Sequence, residues 1–358
     1  MADVSLIAVQ LQRAAPGGIG TYVRGLLQGL QAMGADAPPV TLVTGRGGGA
    51  LGGLGFPVRA SSLPSRALTR LWDHDLGFGA VGPADVIYAP SFATPFPRAT
   101  PVVMTVHDLA WREVPDTFPE RGREWHERAL QRALQRAASI IVPSARTAER
   151  LAEALVVAGI AAVDVVVIPE GADHLPPADQ DGAIALLETL GVTPPYVLSV
   201  STLEPRKNLP RLVTAYGQAR ARLPEPWPLV VVGPSGWGPS LTASPGVKLA
   251  GMVTDPVLAA LYGGARCLAY VPVVEGWGLP AVEAMTAGTP VVASPMPSTE
   301  GAALEVDPLD VEAIAEAIVV AASDDRRRSE LVAAGLARAR ELTWEAAARR
   351  HVDVWSRV

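Results

Sequence analysis

The feature that most constrains this chain is an alternation, run through twice, of short β-branched apolar segments and longer amphipathic stretches. In the first half, residues 4–9, 40–43, 86–88, 102–106, 140–142 and 165–168 are nearly continuous apolar runs of strand length. A strand apolar on both faces must be covered on both, which is the condition of a parallel sheet flanked by helices. The stretches between them, such as 21–33 and 123–138, have helical periodicity. A second series follows at 196–200, 229–232, 247–250, 267–270 and 291–293. Between the series lies Pro-Glu-Gly-Ala-Asp-His-Leu-Pro-Pro-Ala-Asp-Gln-Asp-Gly from Pro169, which has no periodicity and reads as a linker. Asp255 and Asp310 stand where helix N-caps belong, and 310–358 holds no strand candidate. The expectation is an α/β protein of two doubly wound, Rossmann-like domains, 1–174 and 190–342, joined near 170–190. Ligands of such sheets bind beyond the C-terminal strand ends, so a cleft between facing domains is the expected site.

Composition narrows the function. With 49% hydrophobic and 18% charged residues in 358, the chain has material for buried cores and lacks the disordered signature. A net charge of -6 disfavours an electrostatic nucleic-acid binder. Only two of the 30 basic residues are lysines, Lys207 and Lys248, so a lysine in a motif carries information. The single cysteine, Cys267, excludes an internal disulfide framework or a cysteine-rich metal site and fits a reducing compartment. The N-terminus lacks the basic region and cleavage site of a signal peptide, and no apolar run reaches the ~18 residues of a membrane span. The nearest, 155–168, is broken by Asp164. A soluble, cytoplasmic protein is expected.

Four segments can carry chemistry. Pro16-Gly-Gly-Ile-Gly-Thr-Tyr opens a helix after the first strand, where glycines let a phosphate approach backbone amides; a plain tight turn is the equal alternative. Val23 stands where a dinucleotide fingerprint needs its third glycine, which disfavours a dehydrogenase. His107-Asp closes the strand at 102–106 and faces the ligand side of a sheet, the alternative being a hydrogen-bonded histidine that supports the next loop. Leu203-Glu-Pro-Arg-Lys-Asn sets a guanidinium and an ammonium side by side, suited to a diphosphate, leaving groups included. Glu275-Gly-Trp-Gly-Leu-Pro-Ala-Val-Glu is the most specific: Glu275 can meet sugar hydroxyls, the amides from Gly276 to Leu279 can meet phosphate oxygens, and Glu283 can accept from a ribose diol. Asp73-His-Asp75 and Asp179-Gln-Asp181 end no core strand and are read as solvated loop residues, so no metal site is proposed and EDTA is expected to spare activity. Arg128, Arg132 and Arg136 form a stripe at helical spacing. It is read as a solvated face paired with Glu124 and Glu127, with a peripheral membrane contact as the alternative.

In order along the chain, Gly17-Gly-Ile-Gly-Thr-Tyr, His107-Asp, Glu204-Pro-Arg-Lys-Asn, Val231-Val-Gly-Pro-Ser-Gly and Glu275 to Glu283, continued by Gly288-Thr-Pro-Val-Val, resemble the retaining GT-B glycosyltransferases of family four, the glycosyl transferases group 1. The resemblance implies a sugar-nucleotide donor held mainly by the C-terminal domain and a glycan or lipid-linked acceptor held mainly by the N-terminal one, with no cofactor. It implies that Arg206 and Lys207 hold the diphosphate, Glu275 the donor sugar and Glu283 the ribose. It places His107 beside the donor sugar and adds Gly18, Ile19, Gly20, Gly233, Val253, Gly276, Trp277, Gly278 and Leu279 to the donor site. The closing helix, 343–358, is expected to return to the first domain. Many members carry arginine where this chain has Thr202, a charge that Arg206 can supply, and the 294–304 stretch is shorter than the family's usual loop. The His-Asp-Leu and Glu-Pro-Arg-Lys-Asn motifs resemble members that use GDP-mannose. The expected activity is therefore mannosyl transfer by a front-face mechanism, with UDP-glucose or dTDP-rhamnose as alternative donors and an inactive sugar-nucleotide-binding scaffold as the alternative of another class.

Overall fold

The computed structural model describes residues 2–160, 163–237, 241 and 244–358. Met1 and two positions of the apolar stretch 155–168 lie outside the described residues. The chain divides into two compact units, one of residues 1–112, 119–174 and 343–358, the other of 113–118 and 175–342.

The first unit is built on seven parallel strands: β1 Val4–Ile7, β2 Val40–Thr44, β3 Val58–Ala60, β4 Val86–Ala89, β5 Val102–Thr105, β6 Ser139–Val142 and β7 Asp164–Val167. Their order is β3-β2-β1-β4-β5-β6-β7. β1, β4, β5 and β6 are buried along their whole length, as their unbroken apolar runs require, while the edge strands β3 and β7 are part-exposed. The sequence pattern misses β3, because three residues interrupted by Arg59 carry no strand signal of their own. Pairing with β2 makes the strand.

The helices in chain order are α1 Gly17–Ala32, α2 Ser65–Asp73, α3 Ala110–Glu113, α4 Glu120–Arg136, α5 Ala145–Ala158, α6 Gln180–Thr189, α7 Leu209–Arg220, α8 Asp255–Gly264, α9 Leu279–Thr286, α10 Val311–Ser323, α11 Asp325–Glu341 and α12 Trp344–Trp355. The last of these belongs to the first unit, and glycine explains how it fits. A Cβ on Gly25 of α1 would lie 2.1 Å from Trp344 Cε2, and one on Gly29 would lie 2.1 Å from the Trp344 carbonyl oxygen. Gly25 makes room for the indole and Gly29, one helical turn on, for the main chain of Trp344, which is fully buried. Asp173 secures the entry by accepting from the Trp344 N–H at 2.8 Å.

The second unit carries six parallel strands: β8 Val197–Val200, β9 Leu229–Val232, β10 Val247–Gly251, β11 Cys267–Tyr270, β12 Val291–Ala293 and β13 Leu304–Glu305. Their order is β10-β9-β8-β11-β12-β13. A core of Val197, Leu212, Tyr216, Val231, Ala269 and Ile318 covers one face. The two-residue β13 is again too short to be legible in the sequence. In both sheets the winding reverses beside the first strand, between β1 and β4 and between β8 and β11. At such a reversal the loops leave in opposite directions and open a crevice at the C-terminal edge.

Three sequence expectations are corrected here. Asp255 is the first helical residue of α8, not its cap, which is Thr254. Asp179 is not a merely solvated linker residue; its carboxylate caps α6 by accepting from the Gly182 N–H at 2.9 Å. The arginine stripe of α4 is no free face either. Arg132 and Arg136 turn toward Asp75, at 3.0 and 2.5 Å, and both guanidiniums lie over the Phe96 ring. Glu127 pairs with Arg112 instead of the stripe, so only Arg128, 3.8 Å from Glu124, matches the expected pairing. Asp75, with Asp73 3.8 Å from Arg132, serves as a counter-ion, so two of the three arginines of the stripe are engaged by the fold and not left to a membrane surface.

Candidate active site

The crevice between β8 and β11 holds the charged motifs of the second unit. Beyond β8 the chain runs to a 3-10 turn, Pro205–Lys207, and then to Asn208, which has φ 61°. Asparagine tolerates that left-handed conformation better than most residues. Its buried side chain donates to the carbonyls of Val271, at 3.0 Å, and Pro308, at 2.7 Å, while the Val273 N–H donates to the Arg206 carbonyl at 2.9 Å. These bonds pin the Arg206-Lys207 turn to the loop that follows β11.

That loop delivers Glu275 directly onto the basic pair. Glu275 Oε2 lies 2.5 Å from Lys207 Nζ, 3.2 Å from Arg206 Nη1 and 2.8 Å from the Tyr270 hydroxyl, which donates to it. Glu204 receives the other arm of Arg206 at 3.0 Å. The cluster is nearly closed to solvent, with side-chain exposures of 7 to 13%. Burial by itself would raise the Glu275 pKa, but the charges of Lys207 and Arg206 and the bonds from Lys207 and Tyr270 outweigh it and hold the carboxyl at about 2. Two cations thus face two carboxylates, and the patch is balanced, not basic. Glu204 and Tyr270 were missed in the sequence, although Glu204 lies in the quoted motif; nothing in the spacing says that it turns back on Arg206.

The glycines after Glu275 have separable roles. Gly278 has φ 108°, and a Cβ there would lie 2.3 Å from Met296 Sδ and 2.9 Å from Ser298 Oγ. The short 294–304 stretch therefore packs against the start of α9, and Ser298 Oγ donates to the Gly278 carbonyl at 3.3 Å. Pro280, second in α9, has no N–H, so donors at that helix end come from the residues before it. Trp277 is buried, and its Nε1, like Ser201 Oγ just beyond β8, finds no hydrogen-bond partner among the described residues. Glu283, one turn into α9, is buried and accepts from the Tyr262 hydroxyl at 2.6 Å. Gly233 is filled by structure: its Cβ position lies 2.0 Å from the Ser201 carbonyl oxygen. Val253 sits in the β10–α8 turn, two strands removed from β8. The fold brings Arg206, Lys207 and Glu275 into contact, whereas Glu283 is attached to Tyr262.

In the first unit, Gly17–Gly20 begin α1 after an intervening 3-10 turn at Val9–Gln12. Gly18 has nothing within 4 Å of a Cβ position, whereas one on Gly20 would lie 2.2 Å from Pro16 Cβ. Gly18 is thus open to an approaching group, and Gly20 closes the turn. His107 follows β5, with its Nδ1 3.2 Å from Glu170 Oε1 and its Nε2 2.9 Å from the Pro90 carbonyl oxygen. The carboxylate and the carbonyl can each accept from the ring, an arrangement that suits hydrogen on both nitrogens and so the charged ring. Burial works against that charge, but the bond and charge of Glu170 and the Pro90 carbonyl raise the pKa above the ordinary histidine value. The ring is hydrogen-bonded to the segments after β4 and β7, not to the loop that follows it, and the side chain keeps 20% exposure. Glu170 was missed because it lies in the segment read as linker. Behind His107, the Tyr22 hydroxyl meets Tyr88, Thr105 and His351 Nε2 at 2.6, 3.0 and 2.7 Å, joining α1, β4, β5 and α12.

Two units, each built on a parallel sheet whose winding reverses beside its first strand, make the GT-B fold. Comparison with known proteins gives the family. Residues 16–174 match "Glycosyltransferase Family 4" and residues 194–324 match "Glycosyl transferases group 1". The O-antigen chain mannosyltransferase B of Escherichia coli is 30% identical over 281 residues, which span 73% of this chain and 71% of that one. A D-inositol 3-phosphate glycosyltransferase of Xylanimonas cellulosilytica is 31% identical over 280 residues, 72% of this chain and 66% of that one. HepE of Anabaena, solved in complex with UDP-glucose, superposes over the whole of both chains with a TM-score of 0.71 at 20% identity. The chain belongs to glycosyltransferase family four. Among the described residues, no helix is long and apolar enough to cross a membrane.

Proposed function

We propose that this glycosyltransferase moves mannose from GDP-mannose to a hydroxyl of a glycan or glycolipid acceptor, with retention of configuration. The observation that carries the donor site is the Arg206–Lys207–Glu275 cluster at the β8/β11 reversal. The choice of mannose rests on the likeness to the Escherichia coli O-antigen mannosyltransferase and on the Glu-Pro-Arg-Lys-Asn motif. In this reading Arg206 and Lys207 neutralise charge that grows on the departing diphosphate, and Glu275 turns to the hydroxyls of the sugar. With Glu275 assigned to the sugar's hydroxyls and Glu204 held by Arg206, neither carboxylate of the cluster is set as a nucleophile, which favours a front-face reaction in which the departing phosphate takes the acceptor's proton. Glu283 accepts from the ribose, and His107, Gly18 and Ile19 serve from the acceptor-side unit.

Incubation with GDP-mannose, UDP-glucose and dTDP-rhamnose, with released nucleotide identified by mass, tests the donor. With glycan and glycolipid acceptors present, release from GDP-mannose is expected; release from UDP-glucose or dTDP-rhamnose alone would overturn the choice of mannose. Kinetics separate the roles. Leaving-group charge is larger in the transition state than in the bound donor, so Lys207→Ala and Arg206→Ala should lower kcat about a hundredfold, on the order of 3 kcal/mol. Glu283→Ala should raise the donor KM and leave kcat nearly unchanged. Full kcat/KM in Lys207→Ala would overturn the diphosphate assignment.

A further inference from the structure

The charge balance of the cluster has a consequence for how the donor is admitted. Lys207 Nζ and Arg206 Nη1 are the groups best placed for a diphosphate, and both are taken by one oxygen, Glu275 Oε2, at 2.5 and 3.2 Å. Arg206 is held independently by Glu204 through its other arm, at 3.0 Å, and through the Val274 carbonyl at 3.1 Å. The pinning of the turn by Asn208 does not involve Glu275 either. Glu275 can therefore leave without releasing Arg206 from its place, while Lys207 Nζ keeps its bond to the Tyr270 hydroxyl at 2.8 Å. A diphosphate arriving on the intact cluster would set its two negative charges beside a buried carboxylate, an arrangement that low dielectric penalises strongly.

We propose that Glu275 is the resident counter-ion of Arg206 and Lys207, and that the donor's diphosphate binds by exchange, displacing this carboxylate from both cations while Glu204 keeps Arg206 in register. The inference rests on the donor-site reading above and adds to it: the freed carboxylate, still beside Tyr270, becomes available to the donor's hydroxyls only when a diphosphate has taken its place. Glu204 is then a positioning residue, since it acts through Arg206. Exchange makes the resident carboxylate a competitor of every diphosphate, including the product nucleotide, and so favours release after transfer.

The test uses the full chain and the Glu275→Gln variant, which keeps an acceptor for Tyr270, with inorganic pyrophosphate, GDP and UDP as probes in titration calorimetry at fixed ionic strength. Circular dichroism establishes that the variant is folded. Pyrophosphate is expected to bind Glu275→Gln about tenfold more tightly than wild type, while transfer falls and guanosine and uridine bind both proteins equally. Should Glu275→Gln not fold, Glu275→Ala is read in the same way. Equal or weaker pyrophosphate binding in a folded variant, with binding to wild type intact, would overturn the exchange alone. Binding of none of these diphosphates to wild type or variant would overturn the donor-site reading along with it.

Discussion

A carboxylate and an imidazole show how neighbours set the charge of a side chain. Glu275 keeps its charge down to about pH 2 because Lys207, Arg206 and Tyr270 act against the cost of burial. Its folded pKa lies below that of the unfolded chain, ~4.3. Its stabilising contribution is therefore complete above that value and lost as pH falls toward 2. The gap in melting temperature between wild type and Glu275→Gln should be constant from pH 8 to 5 and close below pH 4. An unchanged gap at pH 3 would contradict the assigned shift. His107 runs the other way. Glu170 and the Pro90 carbonyl raise its pKa against the cost of burial, so its contribution is complete below the unfolded value, ~6.5, and lost as pH rises through the raised folded value. Glu170→Gln should destabilise most in mildly acidic solution, with the deficit shrinking in alkali; melting curves from pH 5.5 to 9 would reveal a flat deficit if the imidazolium were absent. The type and spacing of Arg206, Lys207 and Glu275 were legible in the sequence as a diphosphate and sugar site. Their mutual neutralisation was not, since it depends on a loop turning back over 69 positions to meet Arg206.

At the scale of elements, the twelve-residue α12 depends on a glycine slot. Gly25 and Gly29 are unremarkable in sequence, two glycines in a helix where alanine would raise intrinsic propensity by up to ~1 kcal/mol each. In the fold they admit Trp344, and the propensity argument reverses. Trp344→Ala empties the slot and is expected to cost about 3–5 kcal/mol, measurable by urea unfolding. Gly25→Ala places a methyl against the indole and should also destabilise, despite the better helix former, by about 1–3 kcal/mol. A stabilised Gly25→Ala would show that the helices do not meet here. The central strands were readable because burial on both faces leaves an apolar run; β3 and β13 were not, because pairing with a neighbour, not composition, defines them.

For the whole molecule, the sequence order and the spatial order of the chain differ at its end. Residues 343–358 follow the second unit in sequence and pack within the first. Removing them strips α1 of Trp344 and leaves Tyr22 without His351. The truncated chain should show a lowered calorimetric transition for the first unit while diphosphate binding in the second persists; loss of both together would mean that the units do not fold separately. By itself the sequence determined the α/β class, the paired Rossmann-like domains and the order of the motifs, because hydrophobic periodicity and Gly-Pro punctuation are local and survive in a linear reading. Only the tertiary structure decided which charges cancel: Glu275 against Lys207 and Arg206, Glu170 against His107, Asp75 against Arg132 and Arg136. Coulomb interaction and desolvation depend on distance and burial in space, and residues dozens of positions apart acquire those only when the strands are in register and the loops at their ends converge.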